Sequence, residues 1–301
     1  MVTSMKIIGE AATFSAHLAK TQDNYFSQAS GVEARGYGKL CPALGLQEGE
    51  LISEAVFTNL LSGRNPAGNK VVAREHKVHG IDLVFSATKT VSIAALLTER
   101  DLRIVEAHDR AVLDTMREIE ARCAAARRDL INGPQREPRS VQTGKLTYVL
   151  VRNGFNQDRD PHLHTHVVIL NMTEYQGQVL ALDGQQIMRF GFNKSWGAAY
   201  RAKLAARLKE LGYSVSDTKG GMWRMDAVAP EVELEFSSRT ARIEKVKAHG
   251  VWEMTAWRVT RRRKDPNRGE QNVLAAWRER LARLQAGTTG QGQAEVATGN
   301  P

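Results

Sequence analysis

Three histidines stand at alternate positions in Asp160-Pro161-His162-Leu163-His164-Thr165-His166, and the run Val167-Val168-Ile169-Leu170 follows directly. A β-branched and aliphatic run of that length reads as a buried strand. Side chains two apart on a strand share a face. His164 and His166 therefore project together, with Thr165 on the opposite face. Two neutral imidazoles held side by side form half of a divalent-metal site. His162 has the same parity, but it follows Pro161 and lies at the strand mouth. A lone histidine here would read as a packing residue. A pair at i and i+2, leading into an apolar strand, reads as ligands.

Other elements must position that pair. Lys145 to Val151 reads as a strand antiparallel to His166–Met172, joined to it by the polar loop Asn153–Pro161. Gly80 to Ser86 is a further strand, in which Asp82 is out of phase with Ile81, Leu83 and Phe85. Helices are expected over Leu51–Gly63, Thr88–Leu97 and Asp101–Arg128, and over Phe192–Gly212 with Gly212 as a stop signal. Asn132-Gly133-Pro134 marks a turn, and Tyr213–Ser216 with Met222–Met225 reads as a hairpin. Ser237 to Arg283 reads as helical and basic. Antiparallel strands mixed with long helices, outside a strict βαβ alternation, give an α+β class. Residues 1–285 are expected to form the folded domain. The Gly-, Thr- and Gln-rich 286–301 reads as a flexible tail or the start of a linker.

The chain has 301 residues, enough for a sizeable core. No apolar run reaches membrane-span length, and no signal peptide is evident at Met1–Glu10. Two cysteines, Cys41 and Cys123, suit a reduced cytoplasmic protein. The net charge of +9 and the pI near 9.7 favour a polyanionic partner. The excess concentrates in Arg258–Arg283, with nine Lys/Arg (Arg258, Arg261 and Arg262 among them) against three acids. Trp252, Trp257 and Trp277 are interleaved with these cations. Aromatics among arginines suit stacking on bases and pairing with phosphates, as in single-stranded nucleic-acid sites.

Four segments together resemble the N-terminal domain of the MobF-type conjugative relaxases, the TrwC/TraI group of the HUH endonuclease superfamily. They are Asp23-Asn24-Tyr25-Phe26, Ile81-Asp82-Leu83-Val84-Phe85-Ser86-Ala87-Thr88-Lys89-Thr90-Val91-Ser92, Asp160–His166 and Gly221-Met222-Trp223-Arg224-Met225, and they occur in the family's order. The resemblance covers most of the chain. It implies a central antiparallel palm flanked by helices, with C-terminal helices covering a DNA cleft. It implies metal-dependent cleavage of single-stranded origin-of-transfer DNA with an adjacent hairpin. The products would be a reversible 5′-phosphotyrosyl link and a free 3′-hydroxyl. Relaxosome accessory proteins and a type IV secretion coupling protein would be partners, and the bacterial cytoplasm the location.

On that resemblance Tyr25 is the nucleophile, and Asp82 orients a metal histidine or accepts the tyrosine proton. His164 and His166 are metal ligands. The family's third histidine falls on Asn153, or with a shortened loop on Gln157; His162 and Asp158 are further candidates. An amide oxygen suits a hard ion better than imidazole does. Mg²⁺ or Mn²⁺ is the expected ion, with Zn²⁺ or Ni²⁺ possible in vitro. The family's first tyrosine pair falls near Phe14–Ala19, where no tyrosine occurs. Lys89, Arg201 and Lys203 join Arg258, Arg261 and Arg262 as expected DNA contacts. The alternatives are a catalytically weak or inactive origin-binding module and a metal nuclease that uses water.

Overall fold

The structure is a computed structural model. It describes residues 3–10, 34–72, 77–132, 135–189, 192–218, 220, 222–261 and 273–296. Tyr25, the Phe14–Ala19 stretch and Arg262 lie outside the described residues.

In chain order the first elements are β1 (Thr3–Ile8), β2 (Arg35–Tyr37), a 3-10 turn (Cys41–Leu44), α1 (Glu54–Leu61) and β3 (Gly80–Ser86). Next come α2 (Lys89–Ile93), a π-helical turn (Ala94–Thr98), α3 (Leu102–Cys123), β4 (Ala125–Asn132) and β5 (Gln135–Gln142). β6 (Tyr148–Phe155), β7 (Pro161–Leu170), β8 (Thr173–Tyr175), β9 (Gln178–Leu180), α4 (Gly184–Arg189) and α5 (Phe192–Glu210) follow. β10 (Val215–Thr218), β11 (Met222–Met225), α6 (Pro230–Glu235), α7 (Ser238–Lys247), α8 (Glu253–Val259) and α9 (Val273–Val296) complete the chain.

The chain divides into two compact units. The first holds residues 1–87, 105–153 and 164–212 and is built on a five-stranded sheet of order β1-β3-β7-β6-β2. β3 pairs antiparallel with β1 on one side and β7 on the other. Alternation divides this sheet into two faces. On one face Phe85 lies 5.4 Å from the Tyr200 ring of α5, and Thr165 bonds to His108 of α3. On the other face Ile8, Val149, Val151, Val168 and Leu170 form one core with Cys41, Leu44, Phe57 and Leu60.

Local chemistry explains several boundaries. Ser53 caps α1, its hydroxyl accepting from Val56 N at 3.3 Å. Gly63 follows the helix at φ 71°, and a Cβ there would meet Val72 at 2.3 Å. Gly212 closes α5 at φ 89°.

Three sequence expectations change. Residues 125–128 belong to β4, not to the end of α3, and the hairpin partner β5 binds their backbone in a register from Ala125↔Gln142 to Asn132↔Gln135. Small buried residues such as Ala124, Ala125 and Ala126 fit either element, so their composition does not separate them. β6 reaches Phe155 and β7 begins at Pro161, which brings Asn153 and both histidines into the sheet. Finally, α9 passes residue 285 and ends at Val296, so the backbone of 286–296 is helical where irregular chain was expected.

The second unit comprises residues 88–104, 154–163 and 213–301. Its core includes Trp223, Met225, Phe236, Ile243 and Trp277. Thr90 accepts from Met225 N at 2.9 Å, and Ser92 accepts from Leu163 N at 3.0 Å. The fully buried Asp160 accepts from Ser238 N and Ser238 Oγ, each at 2.9 Å, and from Arg280 at 3.1 Å.

Candidate metal centre and nucleic-acid surface

Register builds the centre. Val84 stands opposite His166 and Ser86 opposite His164, so Asp82, His164 and His166 share one face. The imidazoles lie 5.4 Å apart between ring centroids. Asp82 is 5% exposed, and both carboxylate oxygens accept from His166 Nδ1, at 3.0 and 3.1 Å. The bond fixes the tautomer and leaves Nε2 as the lone-pair nitrogen. Asp82 thus orients an imidazole, which is the geometry that one of its two expected roles requires.

Asn153 falls on the same face. β6 and β7 are neighbours joined by five residues, a connection that only antiparallel strands allow. Leu170 N donates to Thr147 O at 3.0 Å, which sets those residues opposite each other. Val149 and Val151 pack in one core with Val168 and Leu170, and alternation along β6 puts Asn153 on that same face, the histidine face. Asn153 is 7% exposed, and its buried Nδ2 has no hydrogen-bond partner among the described residues. An amide flip exchanges its nitrogen and oxygen, so the same side chain can present a carbonyl oxygen. A pair of imidazoles and an unpartnered amide on one face fits a divalent cation that accepts mixed nitrogen and oxygen ligands.

The other candidates for the third position have different surroundings. Gln157 is exposed in the turn after β6. Asp158 is bound to Arg242 at 2.6 Å, and the charge it would offer a metal is taken by the guanidinium. His162 is half-buried near the start of β7.

Beneath the histidine strand lies a polar network that sequence reasoning missed. His108 is fully buried; Nε2 meets Thr165 Oγ1 at 2.8 Å and Nδ1 meets Tyr200 Oη at 2.6 Å. Burial pushes the His108 imidazole down to about 3, helped by the charges of Arg152 and His164. Lys6 was missed as well. It is exposed and stands opposite Asp82 across the β1–β3 pair, on the histidine face. A periodicity test cannot find either one, because each depends on which elements meet in space.

The expected DNA contacts divide. Lys89 is not a free cation: its Nζ donates to Pro161 O at 2.8 Å. Burial lowers its ammonium, against the pull of Asp160 and Glu233. Lys203 is paired with Glu118 at 2.7 Å and links α5 to α3, because it lies one turn from Arg207, which pairs with Asp114. Arg201 is half-buried with no ion pair among the described residues, and Arg258 and Arg261 are exposed. Trp252 is 74% exposed, and Arg239 stacks 4.6 Å over the half-exposed Trp257. Trp277 corrects the stacking expectation: it is buried, and Nε1 donates to Arg159 O at 2.5 Å.

The antiparallel sheet, its paired-histidine strand and the carboxylate behind one imidazole form the palm that the relaxase resemblance implies. The TrwC relaxase profile matches residues 8–284, and the chain belongs to that family. It is 35% identical over 237 residues to the multifunctional conjugation protein TraI of Escherichia coli, covering 74% of this chain and 13% of that protein. The chain thus spans about 13% of the length of this curated relative. A metal-bound complex of the conjugative relaxase TrwC with oriT DNA superposes with a TM-score of 0.79 at 31% identity, covering 94% of this chain and 98% of that one. A TrwC complex with a 27-mer DNA comprising the recognition hairpin and the cleavage site gives 0.77 at 30% identity, with the same coverage. No described helix is long and apolar enough to cross a membrane.

Proposed function

We propose that this domain cuts and rejoins one strand of origin-of-transfer DNA as the relaxase part of a conjugation protein. The observation that carries the reading is the row Asp82, His166, His164 and Asn153 on one sheet face. Its likeness to TrwC bound to oriT DNA supports the substrate class. The nucleophile is Tyr25, assigned from its motif. Its oxygen bonds to phosphorus and gives up its proton. The bond from phosphorus to the 3′-oxygen breaks, and that oxygen takes up a proton. The products are a 5′-phosphotyrosyl link and a free 3′-hydroxyl, and attack by that hydroxyl reverses the step. A tyrosine hydroxyl has a pKa of about 10 and needs assistance at neutral pH. A divalent ion, Mg²⁺ or Mn²⁺, would polarise the phosphate and offset its developing charge. His164 and His166 would hold it, and Asp82 would keep His166 aimed. Because no tyrosine occurs in Phe14–Ala19, rejoining is assigned to the released 3′-hydroxyl or to a second molecule. Relaxosome proteins and a coupling protein are the proposed partners, in the bacterial cytoplasm.

The test is a denaturing gel. The domain is mixed with Mn²⁺ and a single-stranded oligonucleotide spanning its own transfer origin, beside Tyr25→Phe. An adduct that survives denaturation and disappears in the variant is expected. Cleavage that persists in Tyr25→Phe would make the enzyme a water-using nuclease. Tight binding with no cleavage would make it an origin-binding module.

A further inference from the structure

Thr165 is the single residue between His164 and His166, and its side chain leaves β7 on the other face of the sheet. That face is otherwise apolar around it: Ile81, Leu83 and Phe85 of β3 and Val167 and Ile169 of β7 are all buried there. Apolar packing holds a strand against its helices without fixing its direction, whereas a hydrogen bond is directional. The one polar side chain in this stretch therefore fixes what its neighbours leave free.

Thr165 closes a ring of contacts. It stands opposite Phe85 in the strand register, and the Phe85 ring lies 5.4 Å from that of Tyr200 on α5. Tyr200 Oη meets His108 Nδ1 at 2.6 Å, and His108, on α3, returns to Thr165 Oγ1 through Nε2 at 2.8 Å. His108 and Tyr200 are wholly buried and Thr165 is 1% exposed. Burial keeps the imidazole neutral, so it has one N–H and one bare nitrogen. Either tautomer engages both hydroxyls, one as acceptor and the other as donor. Losing either hydroxyl leaves a buried ring nitrogen unpaired, which is costly. On the histidine face Asp82 restrains the ring of His166; Thr165 is joined by peptide bonds to both histidines.

We propose that His108 is a positioning residue for DNA cleavage: through Thr165 it sets the height and twist of β7 and so aims His164 and His166. This rests on the relaxase reading above for the reaction served. Reacting groups tolerate little displacement, and a misplacement of about 1 Å can cost about 100-fold in rate.

The test compares the domain with Thr165→Val, which keeps the shape and loses the hydroxyl, and Thr165→Ser, which keeps the hydroxyl. Tyr200→Phe cuts the ring of contacts at its far end. Cleavage of a single-stranded oligonucleotide spanning the domain's own transfer origin is followed with Mn²⁺, beside denaturant melts. Histidine ring ¹⁵N spectra are recorded without metal. Thr165→Val is expected to lower kcat about 10- to 100-fold with KM for the oligonucleotide within about twofold. Thr165→Ser is expected to restore kcat to within about threefold. Tyr200→Phe is expected to move the ring signals of His164 and His166 as well as those of His108. A Thr165→Val protein that loses stability but keeps its kcat would reduce the network to support of the fold and overturn the proposal. So would equal losses of kcat in Thr165→Val and Thr165→Ser, or ring shifts in Tyr200→Phe confined to His108. Should Thr165→Val not fold, the kcat and ring spectra of Tyr200→Phe decide. A parent domain that does not cut its origin defeats the relaxase reading, while the metal-free spectra still decide whether His108 aims the two histidines.

Discussion

At the scale of single residues, the pair Asp82 and His166 carries the sharpest prediction. A carboxylate behind a metal imidazole fixes its orientation and raises its basicity, and removing such a partner costs about 10- to 100-fold in metal affinity. Asp82→Asn is expected to weaken Mn²⁺ or Ni²⁺ binding within that range while the far-ultraviolet spectrum stays unchanged; calorimetric titration checks it. His108 supplies a second prediction. In the unfolded chain its imidazole titrates near 6.5, and in the folded protein at about 3. Between those values the unfolded state binds the extra proton, so stability falls as pH drops from about 6.5 toward 3. The change amounts to about 3 kcal/mol between pH 6.5 and 4. Denaturant melts across that range should show the loss, and His108→Gln should flatten it. The histidine pair was legible because its period of two is printed in the sequence. Asp82 stood out by phase, but its bond to His166 was not legible, since it joins residues 84 apart.

At the scale of elements, three of the four family motifs turn out to hold one another. Thr90 and Ser92 of the Ile81–Ser92 segment receive the backbone of Met225 and Leu163, and Lys89 caps Pro161 O. Residues that suggested chemistry by their type are therefore partly structural. Asp160 repeats the lesson: it is fully buried, and Ser238 and Arg280 satisfy its oxygens. Removing one partner of a buried ion pair typically costs about 3–5 kcal/mol. Asp160→Ala should lower unfolding free energy by about 3 kcal/mol in urea titrations, because the Ser238 donors lose their buried acceptor while the half-buried Arg280 keeps Glu235 as a counter-charge. The elements themselves were unevenly readable. β3 alternates clearly and ends where expected, and α5 stops at Gly212 as its backbone demands. β2 has only three residues, too few for a period to register. β4 and β5 carry charged and small residues without alternation, so only their mutual hydrogen bonding defines them.

At the scale of the whole molecule, the net charge of +9 belongs with a polyanion, and the exposed cations and rings are the groups free to meet it. Arg258→Ala with Arg261→Ala should weaken binding of single-stranded DNA across sequences and reduce the salt slope by about 1 for each phosphate no longer neutralised. Trp252→Ala should cost about 1–3 kcal/mol if its ring stacks on a base, and Trp277→Ala should instead destabilise the fold, by about 3–5 kcal/mol. Fluorescence anisotropy over a sodium chloride series, with melts of each variant, separates these outcomes. The charge was legible in the composition, but its division between exposed arginines and tethered lysines was not. The pairing of β7 with β3 has one more consequence. The side chains proposed to face a metal all sit on strands, so a slip of one residue would carry His164 and His166 through the sheet and present Thr165 in their place. Misaligned molecules would be silent and not merely slow. The turnover of a preparation would then count its correctly threaded members, making activity a census of folding fidelity.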